Sequence, residues 1–287
     1  VSCSFKRFAV NKLGDALSES GATYASDEDP ELIREALPFS LKLVESLLAQ
    51  SPDHRGLLVA AASGFTQYAY AFVQQDADEK EDEDLAAAAA LRARARKLYL
   101  RARGYGLRAL EEAYPGFSAA LRPAPGPTAA RAAAKDDVPL LYWTAASWGL
   151  AIALSKDDPD LVADLPVVES LLRRALALDE EYDHGALHEF LITYEGCRGE
   201  AMGGSADRAR KHFERAMQLS GGLRASPMVS LAETVAVREQ DRKEFRSLLE
   251  RALAVDPDAR PEWRLANLVM QRRARWLLSR EDLLFAE

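Results

Sequence analysis

Two histidines four residues apart are the first place to look for chemistry in this chain. His184 and His188, flanked by Asp183 and Glu189, have the spacing that sets two imidazoles on one zinc when the segment is helical. No third ligand is evident, and the glutamate lies outside the pair, where a metallopeptidase would need it between them. A structural or surface role is the simpler reading. The acidic run from Asp76 to Asp84 suggests calcium, but an EF-hand needs oxygen ligands at alternating positions and a central glycine. Lys80 falls at the fifth place and glycine is missing, so a solvated loop or helix cap fits better. Gly104-Tyr105-Gly106 lacks the third glycine, the preceding strand and the acidic partner of a dinucleotide site; helix packing explains it more simply. There is no Gly-x-Ser-x-Gly elbow, no Cys–His signature and no isolated carboxylate pair. No catalytic residue, metal or cofactor is assigned, and the chain reads as a non-enzyme.

The aromatic side chains offer binding rather than reaction. Phe65, Tyr68 and Phe72 form a stripe at i, i+3 and i+7, and Tyr142, Trp143 and Trp148 lie on a second apolar segment. Core packing is the default for such residues. Tyrosine and tryptophan, however, carry polar tips that need partners when buried. Several on two central helices would line an apolar cavity or tunnel, the usual make-up of a small-molecule site. His188 and Tyr194, on a later helix, would add polar contacts.

The elements that must hold these residues are helices. Ala, Leu, Glu and Arg dominate, all good helix formers, and no run of alternating β-branched residues suggests a sheet. A phrase recurs: Leu172-x-x-Ala175 followed by Asp179-Glu180, Phe213-x-x-Ala216 followed by Gly221, Leu249-x-x-Ala252 followed by Pro257, and a looser Val44-x-x-Leu47 followed by Pro52. A large residue fills the core, a small one admits a neighbouring helix, and a turn residue stops the chain. Glu180, Gly221 and Pro257 are 41 and 36 residues apart, a period that implies stacked helix pairs of tetratricopeptide type. Helices are predicted from Pro30 to Ser51, over 57–74, 85–113 and 140–154, and from Pro166 to Leu178. Pairs follow at 184–197 with 205–220 and at 226–239 with 242–255, and a last helix starts near Trp263, where the next repeat has its tryptophan. The expected fold is all-α, an α-solenoid of stacked antiparallel hairpins. Residues 1–29 form a tether and residues 30–287 one helical domain, interrupted by an acidic loop at 76–84 and a Pro-rich insertion at 117–137.

Two segments, 56–75 and 138–155, carry no Asp, Glu, Lys, Arg or His and approach the length of a membrane span. Both are rich in small and hydroxyl residues, which favours helices buried all round at the centre of the protein. The net charge of −8 argues against a nucleic-acid partner. Arg92, Arg94, Arg96, Arg101, Arg103 and Arg108 cluster just after the acidic run, and mutual compensation is the simplest account. Two cysteines are too few for a disulfide framework. Cys197 reads as a half-buried structural thiol. Cys3, after Val1-Ser2 and before Ser4 and a polar stretch, is similar to the processed end of a bacterial lipoprotein. Acylation there would anchor the chain to a membrane, and Ser4 favours the outer membrane.

Taken with Cys3 and the helical hairpins, two segments carry a resemblance. They are Tyr182-Asp-His-Gly-Ala-Leu-His-Glu-Phe-Leu-Ile-Thr-Tyr194 and Gly203-Gly-Ser-Ala-Asp-Arg-Ala-Arg-Lys-His-Phe-Glu-Arg-Ala-Met-Gln-Leu-Ser220. Together they resemble the T component of TRAP (tripartite ATP-independent periplasmic) transporters, over nearly the whole chain. The resemblance implies an all-helical, tetratricopeptide-like, lipid-anchored periplasmic protein that partners the solute-binding P subunit. It also implies homo-oligomers, trimers in particular, and handling of a hydrophobic or organic-acid small molecule. The acidic run and Pro-rich insertion depart from the family pattern. Two other readings stay open: a general tetratricopeptide adaptor of the cell envelope, and a helical enzyme whose site carries no known motif.

Overall fold

The computed structural model describes residues 11–16, 21–121 and 129–286, and among them every regular element is helical and none is a strand. Cys3 and residues 122–128 of the Pro-rich insertion lie outside the described residues. The chain divides into two compact units. Glu31–Asp179, with the helical residues 11–16, make the first; Ala22–Pro30 and the chain from Glu180 onward make the second.

Five long helices build the first unit: α1 (Pro30–Leu48), α2 (Arg55–Lys80), α3 (Leu85–Ala113), α4 (Val138–Ala153) and α5 (Leu165–Leu178). The uncharged segments become α2 and α4, and both pack on α3 and on each other. Leu57, Leu58, Leu140 and Leu141 are fully buried there, each contributing about 1.5–3 kcal/mol by leaving water. By length and composition α2 is apolar enough to cross a membrane, yet Leu57, Ala61, Phe65 and Tyr68 on it are buried in this core. Capping sets the starts. His54 Nδ1 accepts the Leu57 N–H at 3.2 Å, and the Asp84 carboxylate accepts the Ala87 N–H at 2.9 Å.

The acidic run differs from the expected loop. α2 continues helically through Lys80, and only the residues from Glu81 turn before α3. The reason is that its first acids are held by cations. Arg34 of α1 forks onto Asp76 at 2.5 and 3.1 Å, and Arg92 of α3 bonds Asp78 at 3.1 Å and Glu81 at 2.8 Å. Within α2, residues Ala69–Gln74 widen into a π-helical turn, and Arg34 donates to its Phe72 carbonyl at 3.2 Å.

The second unit continues with α6 (Ala186–Gly196), α7 (Ala206–Ser220), α8 (Ser226–Leu231, extended by a π-helical turn at Ala232–Ala236), α9 (Arg242–Leu253) and α10 (Arg264–Ser279). α6 and α7 are an antiparallel hairpin. Gly185, before α6, faces Ala216 and Leu219 near the end of α7, while the Ser205 N–H at the start of α7 donates to Glu195 O at the end of α6, 3.1 Å away. α8 packs on α6 as well as on its neighbours, and α10 packs on α8 as well as on α9. The recurring phrase does what its chemistry implies. Ala175, Ala216 and Ala252 are all fully buried in the last turns of α5, α7 and α9, and Gly221 ends α7 in the left-handed region at φ +61°.

Candidate functional site

In the first unit a guanidinium stands over each aromatic of the predicted stripe. Arg101 lies 5.0 Å from the centroid of Phe65, Arg94 5.8 Å from Tyr68 and Arg34 5.0 Å from Phe72. Phe65 also stacks on Tyr105 at 6.0 Å. Glu45 of α1 ties this corner together, accepting from the Tyr105 hydroxyl at 2.6 Å and pairing with Arg101 at 2.5 Å. Burial pushes the Glu45 carboxyl up, but hydrogen bonds from Lys42 and Tyr105 and the charge of Arg101 outweigh it. The group therefore sits below the ordinary carboxylate range. The arginine cluster thus also serves partners outside the acidic run. Arg92 pairs within it, while Arg96 pairs with Asp158 at 2.7 Å, Arg101 with Glu45, and Arg108 donates to the Pro52 carbonyl.

The aromatics of α4 divide. Tyr142 and Trp143 are half-buried and meet edge to face at 4.8 Å, while Trp148 is buried. Arg103 lies 4.7 Å over the Trp148 ring. Trp148 Nε1 and, one turn earlier, Thr144 Oγ1 are buried and meet no hydrogen-bond partner in the protein. Such an orphan costs about 1–3 kcal/mol, so native proteins seldom tolerate one without reason. Gly106 of α3 makes the close approach: a methyl group there would overlap the Thr144 hydroxyl.

His188 and Tyr194 belong to the second unit. The predicted histidine pair does not share a helix. Asp183 and His184 adopt left-handed backbone at φ +42° and +52°, followed by Gly185 at +102°. His184 therefore leaves α6 and meets Trp263 edge to face at 5.1 Å. His188 is buried against His212 of α7, their Nδ1 atoms 2.8 Å apart, so one ring donates and the other accepts. Its Nε2 lies 3.3 Å from the Glu180 carboxylate, off the line of a hydrogen bond. Burial and the neighbouring His188 push His212 down to about 4. Burial lowers His188 too, against the pull of Glu180. Among the described residues no three His, Cys, Asp or Glu side chains group to hold a metal. Tyr194 is buried beneath Arg198, whose guanidinium is 3.7 Å from the ring centroid.

Sequence reasoning missed the residue that holds the left-handed turn. Arg224 is buried and reaches Asp183 at 2.9 Å and Glu189 at 3.0 Å, with Trp263 under it at 4.8 Å. Burial works against its charge, and Glu189 and Asp183 more than offset it, raising its pKa. Ser226 also donates to Glu189 at 2.7 Å. Buried Asn267 of α10 fixes the segment around Arg224, accepting the Ala225 N–H at 2.9 Å and donating to Leu223 O at 3.0 Å. Three consecutive left-handed residues store strain of about 1–3 kcal/mol at each non-glycine position, and persist only where the surroundings over-determine them. The available signal was a lone arginine just after Gly221-Gly222, and Asp183-His184-Gly185 at a helix start.

The comparisons with known proteins bear on the whole chain. An uncharacterized protein of Treponema pallidum (strain Nichols) is 31% identical over 292 aligned positions, covering 96% of this chain and 90% of that protein. The TRAP transporter T-component model matches residues 26–285, across both units. That span takes in the strained turn, the Arg224 cluster and the aromatic layer, so they are features of a family member's fold. The chain belongs to the TRAP transporter T-component family, an accessory component of transport.

Proposed function

We propose that this chain is a non-enzymatic scaffold, lipid-anchored through Cys3 at the periplasmic face of the outer membrane, that associates with the P subunit of a TRAP transporter. It acts as a homo-oligomer, a trimer in the family's manner, built on a tetratricopeptide-like array. It captures or passes on an apolar or organic-acid ligand near the aromatic layer of its first unit. Its mechanism is binding and transfer, without covalent chemistry.

The observation that carries this reading is the family match from residue 26 to 285. Next to it stand the packing of α8 on α6 and of α10 on α8. Each helix there contacts the one two places along, as expected of stacked hairpins that present a continuous binding face. The guanidinium-covered rings of Phe65, Tyr68 and Phe72 support the ligand-handling part, because they combine apolar surface with cations suited to an acid.

The test is a pull-down through the lipidated protein from its native membranes, with mass spectrometry of captured proteins and extracted small molecules. Recovery of a periplasmic solute-binding protein with TRAP membrane subunits supports the scaffold. Recovery of unrelated envelope proteins, with no solute receptor, replaces it with a general tetratricopeptide adaptor.

A further inference from the structure

Two buried polar atoms on α4 have no role in the packing that surrounds them. Thr144 is fully buried and Trp148 is 2% exposed, and the Thr144 hydroxyl and Trp148 indole N–H meet no partner within the protein. They lie four residues apart, on one face of the helix. That face meets α3: Arg103 covers the Trp148 ring at 4.7 Å, and Gly106 sits against Thr144. An apolar pair at these positions would pack as well and leave no orphan. The chain instead places a donor-only indole and a hydroxyl one turn apart on α4, with a guanidinium of α3 over the indole ring.

We propose that this seam between α3 and α4 is the polar end of a binding site for a small carboxylate anion. The indole N–H and the Thr144 hydroxyl donate to the carboxylate oxygens, and Arg103 supplies the charge. Two of the three groups are donors only and the hydroxyl can donate as well, which favours an anionic acceptor over an amine. Gly106 lets α3 approach the Thr144 hydroxyl this closely, since any side chain there would overlap it. Next to the site, Arg103 is half-exposed and Gly104 is exposed on α3, which gives an entry from solvent. The proposal rests on the ligand-handling part of the function proposed above and makes it specific, naming the ligand's head group and the residues that read it.

Calorimetry on the full-length protein tests it, with butyrate as probe and butyramide as its uncharged control. Trp148→Phe removes the N–H and keeps a ring; Thr144→Val removes the hydroxyl and keeps the shape. Butyrate is expected to bind the native protein at least tenfold more tightly than butyramide. Each substitution should weaken butyrate at least tenfold, and Thr144→Val should do so without lowering the melting temperature in its absence. Three results overturn the site: no butyrate binding by the native protein, equal binding of butyramide, or unchanged binding by both variants. If Thr144→Val only raises the melting temperature, the orphan atoms are a packing defect. Capture of the P subunit by both variants separates the two proposals: it leaves the docking reading standing whatever the calorimetry gives.

Discussion

Removing the Arg224 guanidinium would leave the Glu189 carboxylate, 15% exposed, with only the Ser226 hydroxyl for company. Breaking a buried pair from one side costs about 3–5 kcal/mol, because the remaining charge keeps its desolvation penalty. Asp183 would also lose the contact that holds it at positive φ. Arg224→Ala is therefore expected to lower stability by about 3 kcal/mol in urea unfolding. Arg224→Lys should recover only part, since an ammonium donates from one nitrogen whereas the planar guanidinium reaches Glu189 and Asp183 from two. A change below about 0.5 kcal/mol, the scatter of ordinary surface substitutions, would show that the turn is held by something else. The histidine pair predicts a pH dependence. His212 sits at about 4 in the fold against the ordinary 6.5, so between those values the unfolded chain binds more protons than the native one. Stability must then rise with pH through that window and be lost as pH falls from 6.5 toward 4. Acidification from pH 7 to 5 should cost about 2 kcal/mol from this group. His212→Gln should flatten the slope above pH 5, where the depressed carboxylates Glu45 and Asp137 contribute little because they titrate lower. An unchanged slope in that variant would remove the pair as the cause.

Helices read easily from this sequence; their internal irregularities do not. The small-residue phrase located the last turns of α5, α7 and α9 because burial of Ala175, Ala216 and Ala252 is a local requirement of close helix approach. The two uncharged segments identified the core helices of the first unit for the same reason. The π-helical turns in α2 and after α8 left no such mark, since each is fixed by partners distant in sequence. Arg34 takes the Phe72 carbonyl and Asp76 from 38 and 42 residues away, and Arg273 of α10 pairs with Glu233 in the second turn. The candidate aromatics could be named by type and spacing, while of the arginines over them Arg94, Arg101 and Arg103 were visible only as members of a charge cluster and Arg34 and Arg198 not at all. Gly196 tests the second irregular turn. A methyl there would overlap the Thr234 hydroxyl across the α6–α8 contact, and overpacking of this kind costs about 1–3 kcal/mol. Gly196→Ala should be destabilising by that amount, and Thr234→Ala in the same chain should restore most of it. A double-mutant cycle with no coupling would mean the helices separate freely at that point.

At the scale of the whole molecule, family membership ties the chain to TRAP transport, and the proposed anchor decides where it can act. The anchor is proposed at Cys3, which lies outside the described residues, and the docking surface on the helices. Anchoring and folding should therefore be separable. A buried acyl chain contributes about 0.8 kcal/mol per CH₂, so a singly acylated protein exchanges with water while a multiply acylated one stays on its membrane. Cys3→Ser, expressed from the complete precursor in a bacterial envelope, should lose incorporation of labelled palmitate and move from the membrane to the soluble periplasmic fraction. Its melting temperature should match that of the native chain within error. Its affinity for the purified P subunit in solution should also be unchanged, since docking is proposed to use the helical faces. Retention on the membrane without label would assign the attachment to a protein partner. Loss of P-subunit affinity would instead make the N-terminal segment part of the docking surface.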